Sequence, residues 1–166
     1  VDGDIIETSA IAANRTVPGN VSRLRVRLRA VSLENFDLDG GRQRLVGDTL
    51  VVEREPTTQL AARYARFRDF ERRDNPNLRA EQFLEVTHPE IVALAERLAG
   101  DSRPPQPVAR RNNDWVHDSI TKEVMIGIPS ALHVLHTRRG DCNEHTQLFV
   151  ALARAAGIPA RVASGL

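Results

Sequence analysis

Residues 138–166 read RRGDCNEHTQLFVALARAAGIPARVASGL and contain the chain's only cysteine, Cys142. Gly140 supplies a tight turn, and Asp141 is placed to cap a helix that begins at Cys142. Asp141 and Glu144 form an Asp-x-x-Glu pattern that resembles a capping box, which fixes the helix start. A cysteine in a first helical turn lies among unpaired N–H groups, and these and the helix dipole favour a negative sulfur. The carboxylates of Asp141 and Glu144 oppose that effect. Behind Cys142, positions 142, 145, 149, 152 and 156 fall on one stripe. Leu148, Val150, Ala151, Ala153 and Ala155 fill most of the rest, which predicts a helix buried in the middle of a domain. Gly157 and Pro159 end it, and residues 160–166 read as a strand.

This stretch resembles the core motif of the transglutaminase-like family of papain-like thiol enzymes. The close match spans about the last 30 of the 166 residues, and a looser one reaches back to about Pro89. The resemblance implies a central helix packed against a sheet, with a nucleophilic cysteine at its N-terminus, here Cys142. In that family a His and an Asp on later strands complete the catalytic set, and these would follow Leu166. The lack of a starting Met and the stop at Leu166 lead to the expectation of a piece of a longer, bacterial-type protein. The implied chemistry is acyl transfer or amide hydrolysis through a Cys thioester, with a protein or peptide amide as substrate. In some family members an upstream aromatic helps hold the oxyanion, a part open to Trp115. The residue at the position of His145 is not the family's catalytic base.

The expected fold is α+β. A small β-rich N-terminal unit over 1–56 precedes a partial transglutaminase-like core over 57–166, helical in its first half and cut after its first core strand. In the N-terminal unit, apolar and charged residues alternate from Arg23 to Ala30, the period of a half-buried strand. Asp39-Gly40-Gly41 and Gly47-Asp48 are turns, with strands expected over 42–46 and 49–55 and a further one near Ile5 and Ile6. Arg23, Arg25, Arg27 and Arg29 share one face. That stripe is either an anion-binding surface or, as we read it, a solvated face that discourages edge aggregation.

Past Pro56 the period becomes helical, with helices expected over 58–72, 89–99, 108–120 and 130–138. Residues 101–107, DSRPPQP, read as a proline-rich connection. Trp115 is a candidate core anchor as well as a candidate oxyanion group. His145 lies three residues after Cys142, but both side chains lean toward the helix N-terminus, which favours a packing role. His133 and His136 share a face that either lines the cleft or meets water, the second being our reading. A zinc site of Asp141, Cys142 and His145 would draw its ligands from a single segment, against the habit of tetrahedral zinc. No metal or other cofactor is therefore expected.

Hydrophobic residues at 41% and charged residues at 27% fit a globular chain with a core. A net charge of +1 gives no field that would draw in nucleic acid, and no apolar run approaches the roughly 18 residues that cross a bilayer. One cysteine excludes an internal disulfide and leaves the compartment open. A sheet cut short would expose an edge, so self-association is expected. The rival to an enzyme is a non-catalytic module that binds protein or glycan on the same scaffold.

Overall fold

The computed structural model describes residues 13–29, 32–33, 36–59, 75–101, 104–125, 127 and 129–163. The strand expected near Ile5 and Ile6, and all but the start of the helix expected over 58–72, lie outside them. The fold is α+β, and the chain divides into two compact units, Val1–Leu60 and Ala61–Gly165.

The first unit is an antiparallel sheet of β1 (Arg23–Arg27), β2 (Gln43–Val46) and β3 (Thr49–Glu53), in the order β1-β3-β2. Leu24 and Val26 are half-buried while Arg23, Arg25 and Arg27 are exposed, as the period-2 pattern requires. β1 stops short of Ala30 because β3 begins at Thr49, the partner of Arg27; beyond it only the Gly47-Asp48 turn is opposite. Arg23 and Arg27 form ion pairs with Glu53 (3.1 Å) and Asp48 (3.3 Å). Val51, the buried residue of this sheet, lies opposite both Arg25 and Arg44. On the arginine face of β1, Arg23 and Arg27 are thus ion-paired and solvated, and Val51 is buried between the flanking Arg25 and Arg44.

The second unit is mainly helical. A 3-10 turn (Pro76–Leu78) precedes α1 (Pro89–Ala99), α2 (Pro105–Ser119), α3 (Ala131–Thr137) and α4 (Cys142–Ala155). Two-residue strands β4 (Thr121–Lys122) and β5 (Arg139–Gly140) pair in parallel. α1 begins and ends as expected, with His88 at its N-cap and Gly100 beyond its end at φ 52°. Arg111 donates from Nε to the Leu98 carbonyl (2.6 Å) and from a terminal nitrogen to that of Ala99 (2.8 Å), closing the C-terminus of α1.

α2 starts three residues before the expected Val108, inside the proline-rich stretch. Pro105 and Pro107 occupy its first turn, where a helix needs no N–H donor. The core joins Ile91, Leu94 and Ala95 of α1, Val116 of α2, Val134 and Leu135 of α3, and Leu148 and Leu152 of α4.

Among the described residues α4 packs against α1, α2, α3, the 3-10 turn and β5. One expectation needs correction. Residues 160–163 form no strand; 164–166 lie outside the described residues. A strand needs a backbone partner along its length. Instead the Ala160 N–H donates to Asn77 (3.1 Å) and the Ala160 carbonyl accepts from Arg154 Nε (2.7 Å).

α3 shows how distant residues close a helix end. The N–H groups of Ala131, Leu132 and His133 donate to the Phe83 carbonyl (3.0 Å), Glu85 Oε2 (3.2 Å) and Ser130 Oγ (3.2 Å). Burial pushes the Glu85 carboxyl up, but hydrogen bonds from Ser130, Leu132 and Ala131 outweigh it and hold the group below its ordinary range. A carboxyl so lowered stabilises the fold above the unfolded value of about 4.3, and that contribution fades as pH falls through the lower folded value. Glu85→Gln is therefore expected to flatten the acid limb of a stability–pH curve below about pH 4.3. Chemical denaturation of both proteins across that range checks it; identical acid limbs would contradict the assignment.

Candidate functional site

The backbone leading into α4 is clamped before the helix begins. Thr121 N–H donates to the Arg138 carbonyl (2.9 Å) and Glu123 N–H to that of Gly140 (3.1 Å), so β4 holds β5 at the mouth of the helix. Gly140 is buried, and a Cβ added there would collide with the Glu144 side chain. Only glycine lets the chain pass Glu144 so closely.

Asp141 is the N-cap of α4, and both halves of the capping box form. The Asp141 carboxylate accepts from the N–H of Asn143 (3.0 Å) and also from that of Glu144. The Glu144 carboxylate accepts in return from the Asp141 N–H (2.9 Å). The His145 N–H donates to the Asp141 carbonyl (3.1 Å). Three of the four leading amide donors of α4 are thereby used. The fourth, the N–H of Cys142, has no partner among the described residues. Cys142 itself is exposed. An open thiol and an unspent N–H therefore stand on the same residue at the positive end of a buried helix.

His145 Nδ1 lies 2.6 Å from the Asp141 carbonyl, which requires that nitrogen to carry the proton. Its Nε2 is buried without a partner among the described residues. The ring is turned onto its own helix.

Trp115 is half-buried on α2, with the Arg138 guanidinium over its ring, 4.4 Å from the centroid. Arg138 sits in the left-handed region at φ 55°, where it ends α3 and feeds β5. A cation–π contact at this point steadies a residue whose backbone conformation is unfavourable for a side chain. Trp115 thus braces the turn that delivers Gly140 and Cys142. His133 and His136 are both exposed, and His136 pairs with Glu90 (2.9 Å). Among the described residues no three His, Cys, Asp or Glu side chains gather as a metal site.

Arg154 was not anticipated. It is buried on α4 and donates to the Ala160 carbonyl (2.7 Å), the Arg79 carbonyl (2.6 Å) and Glu81 Oε1 (2.6 Å). No local pattern marks it, because two of its partners lie far earlier in the chain.

Residues 92–166 match the family described as the transglutaminase-like superfamily. Among solved structures the chain is similar to a candidate cysteine protease from Cytophaga hutchinsonii, at 18% identity and a TM-score of 0.46. The similarity covers 67% of this chain and 39% of that one. No curated protein sequence matches the chain.

Gly140→Ala is expected to cost about 1–3 kcal/mol or more, because the new Cβ must displace Glu144 and break the capping box. Asp141→Ala is expected to cost about 0.5–2 kcal/mol through loss of the cap alone. Urea unfolding of the two variants checks both, and an unchanged midpoint for Gly140→Ala would contradict this picture of the turn.

Proposed function

We propose, from the match of residues 92–166 to the transglutaminase-like superfamily, that Cys142 is the nucleophile of an acyl-transferring thiol enzyme. The observation that carries the reading is the pairing of an exposed Cys142 thiol with its own unspent N–H at the start of α4. In the first half-reaction the sulfur attacks an amide carbonyl carbon, and a C–S bond forms. The negative charge that develops on the carbonyl oxygen is met by the Cys142 N–H, a fixed donor that needs no reorganisation. The C–N bond then breaks, the amine leaves with a proton, and a thioester remains. Water or a second amine resolves the thioester, so hydrolysis and cross-linking share this step.

The thiol proton needs a base. His145 Nδ1 is engaged with the Asp141 carbonyl, so the proposal assigns the base and its orienting carboxylate to the His and Asp that the family carries on later strands. The substrate proposed is a protein or peptide amide.

Alkylation by iodoacetamide, followed by mass spectrometry across pH, tests the assignment. At pH 6 a longer chain that includes those strands is expected to label at Cys142 at least about tenfold faster than the 166-residue chain. Equal, slow labelling of both would make Cys142 structural and favour a binding module.

A further inference from the structure

A groove of about 460 Å³ runs between α1 and α3, a size that accommodates a small ligand. Leu94 and Leu135 are among its lining residues, together with Glu90, Arg97, His136 and Arg138. The charges are unevenly matched. Glu90 is engaged by His136 at 2.9 Å. Neither Arg97 nor Arg138 has a carboxylate partner among the described residues. Arg138 directs its Nε to the Leu135 carbonyl (2.6 Å), which holds the guanidinium in place. Two guanidinium groups thus share one concavity beside apolar walls, with the single carboxylate there already spent.

We propose that this groove binds an anionic ligand that presents a carboxylate or phosphoryl group to Arg97 and Arg138 and an apolar portion to Leu94 and Leu135. Guanidinium forks recognise both oxyanions through paired N–H donors. Burial, and then the positive charge of Arg97, push the Arg138 guanidinium below its ordinary range, the direction an oxyanion would reverse. This site is independent of the nucleophile reading, since none of its residues takes part in the proposed chemistry.

Calorimetric titration at low salt with 3-phenylpropionate and with phenyl phosphate tests it, with 3-phenylpropionamide as the neutral comparison. At least one anion is expected to bind and the amide not to; which anion binds more tightly separates a carboxylate ligand from a phosphoryl one. Arg97 is exposed, so Arg97→Gln should fold normally and weaken binding by about tenfold, the scale of one charge-assisted pair. Glu90→Gln should tighten it, because a competing negative charge is removed. Arg110, exposed on α2 and paired with Asp114 (3.6 Å), supplies the control Arg110→Gln, which should bind as the unaltered chain does. The proposal is overturned if neither anion binds more tightly than the amide. It is equally overturned if Arg97→Gln binds like the unaltered chain, or if Arg110→Gln loses as much affinity.

Discussion

The reciprocal hydrogen bonds between Asp141 and Glu144 determine where α4 begins, and the rest of the second unit is organised around that point. Glu144 is almost wholly buried, with its carboxylate on the Asp141 N–H at 2.9 Å. A carboxylate taken out of water is costly unless it is hydrogen-bonded, so any other start for the helix would leave it unpaired. These bonds use the N–H donors of Asp141 and Glu144, the Asp141 carboxylate also takes that of Asn143, and among the described residues the Cys142 N–H is left without a partner. The device that stabilises the helix therefore also decides which of its leading amides is left without a partner among the described residues.

Two further contacts hold this end of the helix in register. Trp115 and Arg138 brace the turn before it, and β4 clamps β5. At the other end, Gly157 adopts φ 80°, and the N–H groups of Gly157 and Ile158 donate to the carbonyls of Arg154 and Ala153 (2.9 and 2.8 Å). This is a Schellman closure. Arg154 then ties the outgoing chain to residues 79 and 81. Between these anchors Leu148 and Leu152 are fully buried against the other helices.

What could be read from the sequence was local. Asp-x-x-Glu marks the start of α4 and Gly157 its end, because a cap and a C-terminal glycine act within a few residues. Alternation from Arg23 located β1 for the same reason. The failures came where partners are remote or where a rule has an exception. Glu85 caps α3 from 47 positions away from Leu132, and no pattern in either segment announces the other. The prolines at 105 and 107 look like a linker but suit a first helical turn. The strand expected over 160–166 satisfied its composition, yet at Ala160 the chain bonds to Asn77 and Arg154. At the start of α4 the Asp141 cap was legible, whereas Arg138 over Trp115 was not.

The central claim is that the folded start of α4 makes Cys142 ready to accept an acyl group. Acylation by an activated acetyl ester, read by intact mass in folded and in urea-unfolded chain, tests it most directly. The account expects a single adduct, released by hydroxylamine and absent in Cys142→Ala, forming about tenfold or more faster in the folded state. An adduct that forms equally fast in the unfolded chain, or only there, would contradict it.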